Sequence, residues 1–157
     1  AQIKNDLIKN IQKETQHDIL IWSEKPLKEI EYKDEQLFQS IADSVETIVM
    51  KIQKIQKNVS FISITTLTSK TISKELQLPK SHLDLLFKYY CHYSINEFGN
   101  LIKVTYALQL INEGYLNQYT VESLGEKCLF NSRFTFYKNF KKFIGVSVSD
   151  YSKELVH

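Results

Sequence analysis

Residues 131–143, NSRFTFYKNFKKF, gather the side chains best suited to recognising a polyanion. Arg133 is the only arginine of the chain, and Lys138, Lys141 and Lys142 follow it with no acidic residue between. A guanidinium offers a planar fork of donors that matches a guanine edge or a phosphate, while a lysine supplies a mobile point charge. With a helix beginning at Ser132, capped by Asn131, the 100° advance per residue brings Phe136, Phe140 and Phe143 onto one face. Phe134, Tyr137, Lys138 and Lys141 then point largely the other way. One face suits a core and the other a partner. The chemistry open to it is recognition: Arg133 bonded to guanine, Phe134 or Tyr137 against a thymine methyl, Lys138 and Lys141 on bases or phosphates.

An element must hold that helix, and the preceding residues supply one. Residues 120–127, TVESLGEK, read as a short helix capped by Thr120, with Glu122 at its positive end. Cys128, Leu129 and Phe130 form the turn. Two short helices joined tightly, the second basic outside and aromatic inside, describe a helix-turn-helix whose second helix enters a DNA major groove. The plainer alternative is a solvated face of an all-helical protein.

Charge is distributed in keeping with a local binding surface. The net charge of +2 does not by itself announce a nucleic-acid partner, yet residues 127–143 hold five basic residues and no acid. Two prolines and four glycines favour helices over a turn-rich sheet architecture. Cys91 and Cys128 lie in apolar helical contexts without CxxC spacing, which points to free thiols in a reducing, cytoplasmic setting. No apolar run is long enough for a membrane span. His17, His82, His92 and His157 are scattered, no triad or metal-ligand spacing occurs, and no glycine-rich phosphate loop is present, so neither an enzyme nor a cofactor is expected. Cys91 and His92 are adjacent and would diverge by 100° on a helix, which reads as a packed thiol beside a surface imidazole.

The rest of the chain is read as all-α. Residues 1–57 form an amino-terminal extension in which 1–16 is a short amphipathic segment and 17–22 a brief apolar run, strand or anchor. Apolar residues at 37, 38, 41, 45, 48, 49, 52 and 55 then predict one long amphipathic helix over 34–57. Its 41, 45, 48, 52, 55 series could pack on the chain's own core or form the seam of a homodimer. Residues 58–93 contain a connection and a first helix pair, 69–76 capped by Thr68 and 80–90 after Pro79. In the second of these, Leu83, Leu86, Phe87 and Tyr90 face inward, and Ser81, Asp84, Leu85 and Lys88 outward. Residues 94–114 predict a linker helix, opened by Ser94 or Asn96 and closed at Gly114, and residues 115–157 hold the second pair. Some 19 linker residues span about 28 Å, comparable to the ~34 Å between successive major-groove faces on one side of B-DNA.

From about Thr66 to Leu155 this order of parts resembles the DNA-binding domain of AraC/XylS-type transcription regulators. The resemblance is carried by TSKTISKELQLPKSHLDLLFK, by NEFGNLIKVTYALQLINEG and, most specifically, by TVESLGEKCLFNSRFTFYKNFKKFIGVSVSDY. It implies two helix-turn-helix units joined by a linker helix, bound to double-stranded DNA. Arg133, Phe134, Tyr137 and Lys138 match the base-facing positions of the second recognition helix, and Ser81, Asp84 and Leu85 those of the first. Lys103 matches a basic linker position near phosphate. The chain departs from the family pattern at Leu129 (usually glycine), Gly125 (usually alanine), Val148 (usually proline) and Gly99, within the start of the linker helix. The second unit is expected to supply most of the base discrimination. The family usually adds a sensing or dimerisation domain, and residues 1–57 are too few for one, which implies a carboxy-terminal piece of a longer regulator or a short stand-alone form. The rival reading is a helical interaction module, with a degenerate helix pair and the 34–57 helix serving dimerisation or docking.

Overall fold

The computed structural model describes residues 21–57 and 67–156. The expectations for 1–16, for the front of the 17–22 run and for 58–66 lie outside them. Among the described residues the fold is all-α, with one isolated antiparallel bridge between Trp22 and Cys91. None of their helices is long and apolar enough to cross a membrane. The chain divides into two compact units, one closing at Gly99 and the other opening at Asn100.

In the first unit, α1 (Glu35–Ile41) and α2 (Val45–Gln56) stand where one continuous helix was expected, separated by a 3-10 turn at Ala42–Ser44. A 3-10 turn advances 120° per residue, so it rotates the apolar residues before it relative to those after it. The two halves can then address different neighbours: α1 packs on α4 (Lys80–Tyr89) and α2 on α3 (Ser69–Leu76). Phe38 of α1 stacks on Tyr90, ring centroids 6.4 Å apart. Ile41, Val45, Ile48, Ile52 and Ile55 are all buried, so the residues of the expected dimer seam already lie within the chain's own core.

Local sequence accounts for α3 and α4. Thr68 and Thr71 form a reciprocal capping box at the start of α3, Gln77 ends it in the left-handed conformation (φ 56°), and Pro79 stands before α4. Residues 21–27 belong to this same unit. Ser23 N–H donates to Tyr90 O, His92 N–H to Ile21 O, and Leu27 N–H to Tyr89 O, closing a short ladder over the end of α4. Trp22 sits in an aromatic group with Phe87 and Phe98, centroids 5.0 and 5.9 Å away. Ile21 and Trp22, read as part of an extension, are therefore part of the first unit's core.

Helix α5 (Ile95–Asn112) begins in the first unit and continues into the second. Ser94 and Glu97 cap it reciprocally, and Gly114, at φ 93°, supplies the left-handed residue that lets the chain leave. Gly99 does not interrupt it; a Cβ there would make ordinary contact with Leu67, 3.7 Å away. In the second unit, α6 (Val121–Lys127), α7 (Arg133–Ile144) and α8 (Val148–Val156) share one core with the carboxy-terminal part of α5. Their core joins Val104, Ala107, Leu108 and Ile111 to Leu124, Phe130, Phe136, Phe140, Ile144, Val148 and Tyr151. Each large side chain so buried contributes about 1.5–3 kcal/mol. Tyr151 keeps its hydroxyl satisfied by donating to Asn112 Oδ1 at 3.1 Å.

Candidate nucleic-acid interface

Helix α7 is placed by its cap, its buried face and the turn before it. The cap is Ser132, one residue later than expected: its hydroxyl accepts from Thr135 N–H at 3.1 Å and shares a hydrogen bond with the Thr135 hydroxyl. Serine reaches the third N–H as well as asparagine does, and Ser132 has the extended backbone an N-cap requires. Phe136 and Phe140 are fully buried, and Phe143 is half-buried. Asn139 is buried as well, its amide donating to Thr135 O.

The turn between α6 and α7 runs through Leu129 in the left-handed conformation (φ 69°). Leu129 N–H donates to Glu126 O and Phe130 N–H to Gly125 O, so the turn satisfies the end of α6 despite lacking the usual glycine. Lys103 braces it, donating to Leu129 O at 3.2 Å with its ammonium 5.4 Å above the Phe130 ring. Burial lowers the Lys103 pKa. The ammonium expected near phosphate is thus turned toward the turn, because a half-buried lysine needs a local acceptor.

At Gly125 the two helices lie close together. A Cβ there would stand 2.9 Å from Phe136 Cδ2, and Phe136 Cγ and Cβ would lie at 3.1 and 3.3 Å. The departure from alanine therefore has a steric cause. The full ring of Phe136 fills the space that an alanine methyl would take.

With the buried face fixed, the outward face of α7 is left to solvent. Phe134 is 74% exposed, which places a large apolar ring in water at the start of a basic helix. Lys138 and Lys141 are exposed, and so is Lys127 at the end of α6; Tyr137 is half-buried, its ring 5.9 Å from Phe136. Arg133 Nη1 donates to Glu122 Oε1 at 3.1 Å, with both side chains more than half exposed. The Glu122 carboxyl is held below its ordinary pKa first by its own backbone N–H in the first turn of α6, and then by Arg133. Such an exposed, solvent-screened pair contributes little to stability, so the guanidinium can exchange this partner for another at small cost.

The expected outward face of α4 is different. Ser81 is exposed, and Asp84 is exposed and paired with Lys80 at 2.9 Å. Leu85, expected to face outward, is buried at 4% exposure. Lys88 donates to Glu31 Oε2 at 2.7 Å and to Asp34 Oδ2 at 2.9 Å. The Tyr89 hydroxyl donates to Asp34 Oδ2 at 2.6 Å and accepts from Glu31 N–H at 3.0 Å. These contacts join residues more than fifty positions apart, and no local signal marks them. The Tyr89 bond first, then Lys88, hold the Asp34 carboxyl below its ordinary pKa, and the Glu31 bond first, then Asp34, raise the Lys88 ammonium. Leu85 and Lys88 are thus corrected from partner-facing to internally engaged, because α1 and residues 21–34 pack along that flank.

Both cysteines are buried and free, and desolvation raises Cys91 to about 11 and Cys128 to about 12. Among the described residues no group of His, Cys, Asp or Glu could hold a metal ion. No protein-family model, curated protein or solved structure matches the chain.

Proposed function

We propose that the chain is a sequence-specific DNA-binding transcription regulator of the AraC/XylS type, with α7 as its groove-reading helix. The observation that carries this reading is the exposed surface of one helix: Phe134, Lys138 and Lys141 share a face opposite the buried Phe136 and Phe140, and Arg133 is exposed in the first turn. Arg133 lies in the first turn, where a recognition helix contacts base edges, and among the described residues its partner is an exposed carboxylate that a guanine edge can replace. Lys138 and Lys141 supply the salt-dependent contacts to the backbone. The helix pair α3 and α4 has the family's order of parts, with a face poorer in free donors. Double-stranded DNA is the proposed partner.

Fluorescence-anisotropy titration against random duplex DNA at several salt concentrations tests this, with an Arg133→Ala, Lys138→Ala, Lys141→Ala variant alongside. Binding that tightens as salt falls, and collapses in the variant, is the expected result. A folded wild-type chain that stays unbound at low salt overturns the reading and leaves the helical interaction module in its place.

A further inference from the structure

The carboxylates on Lys88 bear on how many contacts this chain makes with DNA, an inference that rests on the DNA-binding reading above. Four lysines of the first unit have acidic or aromatic partners. Lys88 is held at 2.7 Å by Glu31 and at 2.9 Å by Asp34, Lys33 lies 3.6 Å from Glu31, Lys80 is paired with Asp84, and Lys28 sits 5.6 Å above the Tyr89 ring. An ammonium between two carboxylate oxygens at these distances is satisfied as it would be by a backbone phosphate. The acids arrive on residues whose backbone is tied to the end of α4 by the Leu27 and Ser23 hydrogen bonds, so their position is built into the fold. Of the four residues expected to face DNA on α4, one is buried, one is held by these carboxylates, and a third is itself a carboxylate paired with Lys80.

We infer that Glu31 and Asp34 act as an intramolecular substitute for DNA phosphate, which keeps the first helix pair off the DNA backbone and leaves α7 as the contact surface. Neutralising both acids removes the two carboxylates that Lys88 is paired with. The Lys88 ammonium on the flank of α4 is then left without these partners. The Tyr89 hydroxyl keeps an acceptor if Asp34 becomes asparagine, and the Glu31 N–H is unaffected by a side-chain change.

The test compares the wild-type full chain with Lys88→Ala, Glu31→Gln/Asp34→Asn, and the triple combination, by anisotropy with random duplex DNA across a salt series. Circular dichroism melts confirm that each is folded. Each added phosphate contact steepens log K against log salt by about 0.9. The expected result is an unchanged slope for Lys88→Ala, a slope steeper by about 1 with several-fold tighter binding at ~0.1 M salt for Glu31→Gln/Asp34→Asn, and a return to wild type in the triple variant. Should the double substitution unfold the unit, Glu31→Gln alone carries the test, with a smaller gain in the same direction. Weakened binding by Lys88→Ala overturns the inference, and so does a folded charge-neutralised chain with the wild-type slope. Failure of the α7 reading looks different: wild type does not bind, and only the neutralised chain does, through Lys88. If none binds, both are overturned.

Discussion

A methyl group on Gly125 would stand 2.9 Å from Phe136 Cδ2, closer than side-chain carbons approach in folded proteins. The glycine lies inside α6, where alanine would ordinarily favour the helix by about 1 kcal/mol. Packing opposes that gain, because the crowded atoms include the Cβ and Cγ of a fully buried phenylalanine. Overpacking of this kind costs about 1–3 kcal/mol. Gly125→Ala is therefore expected to lower stability by about 1 kcal/mol net, read as a fall in the urea midpoint at unchanged m. A more stable variant would mean that α6 and α7 can separate freely.

Leu129 carries the opposite expectation. It holds φ 69° and is 38% exposed, so its side chain contributes little packing and its backbone is strained. Leu129→Asn, which tolerates the left-handed region, is expected to be neutral or stabilising by up to about 1 kcal/mol. A buried leucine truncated in the same way would cost about 2–5 kcal/mol, so thermal melts separate the two cases without ambiguity.

Acid should loosen the first unit through Asp34. Its folded pKa lies below the ordinary 3.8, so its contribution is complete above that value and disappears as pH falls through the lowered one. Urea unfolding followed from pH 6 down to pH 2 is expected to show a loss of stability that Asp34→Asn makes shallower. An identical pH slope in the variant would remove Asp34 from the account.

Alkali should act through the thiols. Cys91 and Cys128 titrate at about 11 and about 12 when folded, against an ordinary 9.0, so the unfolded chain loses these protons first and stability falls as pH rises above 9. At pH 8 both thiols should resist alkylation, reacting at least about a hundredfold more slowly than in urea. Rapid labelling of the native chain would show that one of them is reached by local opening.

Disrupting the exposed pair at the candidate interface should leave the fold alone. Glu122→Gln is expected to leave the urea midpoint essentially unchanged. If α7 reads DNA, the same change should tighten binding, since it removes a carboxylate that competes for Arg133. Weaker binding would assign Glu122 to orienting the guanidinium instead.

Much of the helical framework was legible because its signals are local. Thr68 and Thr120 cap the helices expected of them, Gly114 follows the end of α5, and all four residues assigned inward, Leu83, Leu86 and Phe87 of α4 and Tyr90 just past its end, are buried. Caps and apolar periods depend on residues three or four apart, which the sequence displays directly. The first residue of α7 was displaced by one because Asn131 and Ser132 are both competent caps. The 3-10 turn at Ala42–Ser44 was not legible, because the periodicity of 41, 45, 48, 52 and 55 continues across it.

The candidate site divides in the same way. By itself the sequence determined that one helix carries Phe134, Lys138 and Lys141 on the side opposite Phe136 and Phe140, with Arg133 in its first turn, since helical geometry alone separates those faces. Only the tertiary structure decided that Leu85 is buried, that Lys88 is held by Glu31 and Asp34, that Lys103 braces the Leu129 turn, and that Gly125 makes room for Phe136. The physical reason is range: a helical period says which residues share a face. What covers that face comes from chain that can lie more than fifty residues away.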